Sequence, residues 1–289
     1  MSKVILKLKV DRETLIKMIK NGEDVTNVDT SGITDMSYMF AGCKTFNQDI
    51  SSWDVSNVVD MNSMFNMCDE FNQPILGWDV SNVRFMSYMF HMCDEFNQDI
   101  SGWDVSNVKD MNSMFNSTNK FNQDISKWDV SSVEDMSYMF YMSKEFDQDI
   151  SSWDVSSVED MSFMFLSCGK FNQDISRWDV SNVKTMISMF YGCGKFNQDI
   201  SSWDLKNINS VYHMFGNCES FDFKNFKRTL VVGMNVVGMH VVGMHSLNKF
   251  GKERLVDYVG MYKVVDNMTI KILEIMDREE ILEWVNKSI

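Results

Sequence analysis

A block of 25 residues recurs down most of the chain, best read from Phe96 to Phe115 as Phe-Asn-Gln-Asp-Ile-Ser-Gly-Trp-Asp-Val-Ser-Asn-Val-Lys-Asp-Met-Asn-Ser-Met-Phe. The period never varies, so Phe46, Phe71, Phe96, Phe121, Phe146, Phe171, Phe196 and Phe221 form one column and Trp53, Trp78, Trp103, Trp128, Trp153, Trp178 and Trp203 another. A constant period of this length marks a solenoid, in which each repeat is one turn and equivalent residues stack above one another. No single turn can bury its own Trp and Phe, so the repeats are expected to fold only together.

Within a turn, Trp53 and Val55 lie two apart, the spacing of a strand with both side chains facing the core and Asp54 turned outward. Asp60 precedes Met61, Met64 and Phe65, apolar at i, i+3 and i+4 behind a capping residue, which predicts one or two turns of helix. Each rung is therefore expected to be a short strand, a turn, a short helix and a return turn. The core of this α/β repeat solenoid is then the Trp column together with Phe71, Phe96, Phe121, Phe146, Phe171 and Phe196. An Asn column (Asn57, Asn82, Asn107, Asn182, Asn207), replaced twice by Ser132 and Ser157, is suited to hydrogen-bonding turn backbone in adjacent rungs.

Residues 1–27 read as a cap: a strand over 3–10, then a helix from Arg12 to about Lys20, begun by Asp11, apolar on Leu15, Ile16, Met18 and Ile19, and stopped at Asn21-Gly22. Residues 28–221 carry the solenoid. Its first turn is degenerate, with Val28 in the Trp position, and its last fades as Leu205, Ile208 and Val211 replace Val, Val and Met. Residues 222–247 form a linker with three Val-Val-Gly-Met pentapeptides, for which an extended segment and a loose linker are equally open. Residues 248–289 read as a second strand-helix module, with a strand over 269–275 and a helix over 278–286. Its Asp277-Arg278-Glu279 echoes Asp11-Arg12-Glu13.

The formal charge of -14 opposes binding to nucleic acid and to anionic membrane surfaces and leaves basic partners open. The first residues interleave lysine with apolar side chains, unlike a secretory signal, and no run approaches the roughly 20 apolar residues of a membrane span. An intracellular or virion-associated chain is expected. Cys43, Cys68, Cys93, Cys168, Cys193 and Cys218 share one column with Thr118 and Ser143. Small residues standing in for them point to buried unpaired thiols in a reducing compartment, ahead of disulfides or a metal site.

The motif Phe-Asn-x-Asp-Ile-Ser-x-Trp-Asp-Val-Ser-x-Val-x-x-Met-x-x-Met-Phe, in the copies at 96–115, 121–140 and 146–165 (the last with Asp147 in the Asn position), resembles the BspA-like leucine-rich-repeat proteins of the DUF285 subgroup. The resemblance covers about residues 28–221. It implies a right-handed, leucine-rich-repeat-like superhelix. Bacterial relatives are typically surface lipoproteins or secreted adhesins that bind host or neighbouring-cell proteins, so it also implies a binding role. The lipoprotein signal and lipid-anchoring cysteine of the surface members have no counterpart in this sequence, and the resemblance carries over no catalytic residues.

Asp54, Asp79, Asp104, Asp129, Asp154, Asp179 and Asp204, one outward column, are the strongest candidates for binding. On strands about 4.8 Å apart, neighbouring carboxylates repel by roughly 1 kcal/mol even in bulk water. What compensates is either N–H groups of the following Val-Ser-Asn turn, or a Lys- or Arg-rich partner, or a hard cation such as Ca²⁺. A second column (Asp49, Asp99, Asp124, Asp149, Asp174, Asp199), interrupted by Pro74, reads as fixing a turn, and a third (Asp35, Asp60, Asp110, Asp135, Asp160) as helix caps. Methionines at helical spacing are flexible core filler rather than copper or haem ligands. His240 and His245 have no Cys, Asp or Glu within their tract, so neither metal nor cofactor is assigned. No nucleophile triad, phosphate loop or dinucleotide fingerprint stands out. The expectation is a non-enzymatic protein-interaction scaffold that meets a basic partner. A structural subunit of a virus particle or surface layer, associating through its end modules, is the alternative, and a surface adhesin is third.

Overall fold

The computed structural model describes residues 7–222 and residue 225. The chain enters through β1 (Leu8–Lys9), α1 (Arg12–Lys20) and β2 (Val28–Asp29). Asp11 starts α1, its Oδ1 accepting the Thr14 N–H at 2.7 Å. At the other end Gly22 turns left-handed (φ 69°), and the N–H groups of Gly22 and Glu23 bond the Ile19 and Met18 carbonyls, which satisfies the last helical turn. Leu15 and Ile19 are buried, and Ile16 and Met18 pack half-buried against the core. Arg12 Nη2 donates to the Ser37 carbonyl of the first rung at 2.6 Å, tying the cap to the stack. β1 and β2 pair in parallel with Leu8 opposite Val28. Val28 thus stands in the Trp position because a cap strand, not another Trp-bearing rung, pairs with it.

The rungs that follow depart from expectation. Among the described residues they hold neither the strand expected at Trp53 and Val55 nor the helix expected at Met61, Met64 and Phe65. Backbone pairing between rungs lies where the helix was expected, as parallel bridges linking Asp35, Asp60, Phe85, Asp110, Asp135, Asp160, Thr185 and Ser210 in succession. From Met86 every second N–H crosses to the next rung: Met86 to Asp110 O at 3.0 Å, Tyr88 to Asn112 O at 2.8 Å, Phe90 to Met114 O at 2.9 Å and Met92 to Asn116 O at 2.8 Å. The N–H groups between them close turns inside the rung, Met89 on Met86, His91 on Tyr88 and Cys93 on Phe90. This chain of turns sends Met86, Met89, Phe90 and Cys93 inward, the same i, i+3, i+4 spacing that a helix would show. A helix would use its interior N–H groups in its own i→i−4 bonds and have none to offer a neighbour. With a neighbour on each side, the turn ladder satisfies more of the buried backbone.

On the Trp side the chain is folded by side chains. Asp49 and Asp54 each accept an N–H two residues on, from Ser51 and Ser56, at 3.0 Å, while the Trp53 and Val58 N–H groups close turns on Ile50 and Val55. Those N–H groups are engaged locally and cannot form a sheet ladder, so side chains bridge the rungs there instead. Trp103 Nε1 donates to Ile75 O at 3.1 Å, and the same bond recurs from Trp53 on Val25 to Trp203 on Ile175. Asn57 Nδ2 reaches Ser31 O, and Asn72 Oδ1 accepts from Asn97 N–H and Gln98 Nε2, each at 3.0 Å. In the cysteine column Cys93 Sγ donates to Phe65 O at 2.8 Å, Thr118 Oγ1 to Phe90 O at 2.6 Å and Ser143 Oγ to Phe115 O at 2.5 Å. The column needs a small donor, which thiol and hydroxyl supply alike.

The Phe and Trp columns named above are buried, except that Phe46 at the start of the stack is half-buried. Rings of the second Phe column stack rung on rung, Phe90 on Phe115 and Phe115 on Phe140 at 5.7 Å between centroids, and Phe115 meets Phe121 of its own rung at 4.0 Å. Burying one such ring removes about 150–250 Å² from water, worth roughly 4–6 kcal/mol before entropy is counted. Leu205 and Ile208 are still buried and Phe190 N–H still reaches Met214 O, so the last turn keeps the rung geometry despite its altered residues. The pentapeptide tract and the second strand-helix module lie outside the described residues. Because the ladder, Trp and small-donor bonds are repeated one rung on, deleting residues 121–145 whole is expected to leave one cooperative melting transition by circular dichroism. Deleting residues 121–132 alone should abolish it, and equal loss in both would contradict the stacking.

Candidate interaction surfaces

Every residue of the outward Asp column takes part in a turn of its own. Asp54, Asp79 and Asp104 accept both the N–H and the hydroxyl of the serine two residues on, with hydroxyl distances of 2.6, 2.7 and 2.6 Å. Asp129, Asp154 and Asp179 accept the corresponding N–H, and Asp204 accepts from Lys206, whose ammonium also pairs with it at 2.9 Å. The second Asp column does the same with Ser51, Ser101, Ser126, Ser151, Ser176 and Ser201. The third column does not cap helices, since the described rungs hold none. Its Asp35, Asp60, Asp110, Asp135 and Asp160 accept the N–H two residues on and stand at the bridge that joins each rung to the next. Among the described residues no three His, Cys, Asp or Glu side chains are grouped to hold a metal ion. His240 and His245 lie outside those residues.

The electrostatics of the two faces differ. Serine hydroxyls and N–H groups hold Asp79, Asp129 and Asp179 below the ordinary carboxylate range. Asp135 moves the other way: desolvation raises it, and the carboxylates of Asp110 and Asp160 in the rungs either side add to the rise against its Ser137 bonds. Burial likewise raises the thiols, that of Cys218 to about 12, so the six free cysteines are poor nucleophiles.

One surface has no counterpart among the sequence candidates. Along the turn ladder two columns have left-handed backbone: Tyr38, Ser63, Tyr88, Ser113, Tyr138, Phe163, Ser188 and His213 in one, and Met67, Met92, Ser117, Met142, Ser167 and Asn217, with Gly42 and Gly192, in the other; Ser63, Ser113 and Ser188 are buried, whereas the large side chains reach the surface. Tyr38 is 61% exposed, Tyr88 and Met92 41%. Tyr138 stacks on Phe163 at 4.5 Å and lies 5.7 Å from Tyr141, while Tyr88 meets His91 edge-on at 5.6 Å. Bulky residues in this conformation cost about 1–2 kcal/mol each. The available signal was variability inside a strict repeat: the residues between the two methionines change from rung to rung while the methionines persist as far as Val211.

A family model described as "Mycoplasma protein of unknown function, DUF285" matches residues 12–128 and 114–228. The chain belongs to the DUF285 family. The two DUF285 matches run from α1 to just past the last described rung, and with the stacked rungs they make the chain a repeat solenoid. No curated protein matches it by sequence. Among solved structures it is similar to the crystal structure of a TLR13–ssRNA13 complex, with 12% identity and a TM-score of 0.26 over 74% of this chain and 33% of that one. It is also similar to a leucine-rich repeat protein from Bacteroides ovatus, with 13% identity and a TM-score of 0.26 over 65% of this chain and 69% of that one. The DUF285 chain thus spans a third of the length of the first of these. Among its described residues no helix is long and apolar enough to cross a membrane.

Two outcomes follow. A carboxyl whose pKa is lower folded than unfolded adds stability above its unfolded value, near pH 4, and loses it as the pH falls through the folded value. Asparagine keeps the turn's acceptor oxygen without titrating, so Asp79→Asn/Asp129→Asn/Asp179→Asn is expected to flatten the fall in melting temperature between about pH 4 and pH 2. A variant that falls in parallel with the parent would place the acid sensitivity elsewhere. Met142 fills the position that Gly42 and Gly192 take in other rungs. Met142→Gly is expected to raise stability by up to about 1 kcal/mol in urea titration, and a lowered midpoint would mean that methionine packing outweighs the strain.

Proposed function

We propose that this DUF285 chain is a non-enzymatic protein-interaction scaffold that partners read along its outer surface. The supporting observation is the division of labour between columns. Side chains that recur in every rung make the same stacking or turn bond each time, from Trp Nε1 to the Asp54 column. Among those that change from rung to rung, Tyr38, Met67, Tyr88, Met92 and Met142 stand exposed on the turn ladder. A rigid frame with a varied exterior suits recognition of an extended ligand.

We take the rungs to coil right-handed, one per 25 residues, in an intracellular or virion setting, which six unpaired thiols favour. With a formal charge of -14, the complement is a partner with a basic surface. From Asp54 to Asp179 one oxygen holds the turn, and the second is what such a partner would meet, so the column's part is steering rather than anchoring.

The test is native molar mass by light scattering over a hundredfold dilution, on the full chain and on one ending at Ser220. A monomer in both is expected. A larger species that collapses on truncation would overturn the scaffold reading in favour of an assembly subunit.

A further inference from the structure

Tyr138, Phe163 and Tyr141 form a three-ring cluster on the outward face of the turn ladder, with Tyr138 and Phe163 stacked across adjacent rungs only 15° from parallel. Both residues sit at positive φ, 58° and 61°, in a column where Ser63, Ser113 and Ser188 do the same structural work with small side chains. The rings fill no core position; Tyr138, Tyr141 and Phe163 are all half-exposed. Aromatic residues held in an unfavourable conformation, outside the core, serve something beyond folding.

Charge decides what that is. Asp110, Asp135 and Asp160 are bridged to one another in successive rungs of the same ladder, each holding its own turn through Oδ1. In the neighbouring column Lys109 pairs with Glu134 and Lys184 with Glu159, so those charges cancel and the three aspartates set the sign of the face. The two groups are neighbours on the ladder: Met136 N–H reaches Asp160 O at 3.0 Å and Tyr138 N–H reaches Ser162 O at 2.9 Å, and the Tyr138 hydroxyl is raised by desolvation first, with Tyr141, Tyr88 and Asp160 adding. Ring faces beside a row of carboxylates complement a planar cation that both stacks and forks to an oxygen pair, which is the chemistry of the arginine guanidinium rather than of the lysine ammonium. A phosphate-bearing ligand would be repelled.

We propose that the face built from Tyr138, Tyr141 and Phe163 with Asp110, Asp135 and Asp160 docks an arginine-bearing extended segment of a partner protein. The guanidinium lies on the rings of these two adjacent rungs and the carboxylates beside them pair with it. This rests on the scaffold reading above and names the partner's chemistry and the face it uses.

The test is fluorescence anisotropy of the full chain with three labelled peptides, alternating Arg-Ser, Lys-Ser and Glu-Ser, of equal length. The Arg-Ser peptide is expected to bind more tightly than Lys-Ser and to lose at least tenfold in affinity with Tyr138→Ser/Phe163→Ser, which installs the serine this column already carries elsewhere. Asp135→Asn/Asp160→Asn, which leaves the turn acceptors in place, gives a second reading of the same face and is expected to weaken binding similarly. Asp104→Asn/Asp129→Asn/Asp154→Asn, on the other face, should cost only a few-fold at low salt. Absence of Arg-Ser binding overturns the inference, as does binding that ignores both pairs or depends on the Asp104 set instead. None of these results alters the molar mass by which the scaffold reading is judged, so the two stand or fall separately.

Discussion

Everything in this molecule depends on how the backbone of a rung divides its N–H groups. Alternate N–H groups between Met86 and Cys93 go to the next rung and to turns within the rung. Neither set alone would hold the chain: turns without neighbours would leave half the donors bare, and a ladder without turns would run straight on instead of closing round a core. The alternation forces left-handed backbone at regular points, which is why residues as large as Tyr88, Met92 and Phe163 have positive φ. The inward Met, Phe and Cys positions and the outward aromatic face are both consequences of it.

Much of this was legible in the sequence. The 25-residue period, the stacked Phe and Trp columns and the helix Arg12–Lys20 behind Asp11 follow from spacing alone, and the structure has them in place. The bridging role of Asn57 and Asn82 was legible too, because a polar side chain repeated beside a core must find a backbone partner. What spacing could not distinguish was a helix from a chain of turns. Met61, Met64, Phe65 and Cys68 point inward in either, and the difference lies in where the N–H groups go, which side-chain pattern does not encode. The strand at Trp53 and Val55 failed for a related reason. Asp54 is expected outward on a strand and Asp49 is expected to fix a turn, yet each captures a backbone donor that a strand would have needed.

At the surface, the sequence offers turn N–H groups, a basic partner or a hard cation as what offsets the column of seven aspartates, and the first of these is in place at every member. No binding candidate from the sequence lies on the ladder face, whose Tyr88, Tyr138 and Phe163 lie between methionines expected to form a helix. In a repeat protein, positions that never change are committed to stacking, and those that do change are free to serve recognition.

The direction of the inter-rung bonds bears on how the chain would respond to force. Trp Nε1 to Ile O, Asn Nδ2 to Ser O, Cys or Thr to Phe O and the ladder N–H groups all join one rung to its neighbour. Tension applied at the two ends therefore peels rather than shears them, opening the weakest terminal interface and then the next. Each release frees 25 residues, about 85 Å of extended chain. Pulled slowly, such a protein yields in equal steps and acts as a graduated extensible tether, not as a single brittle link.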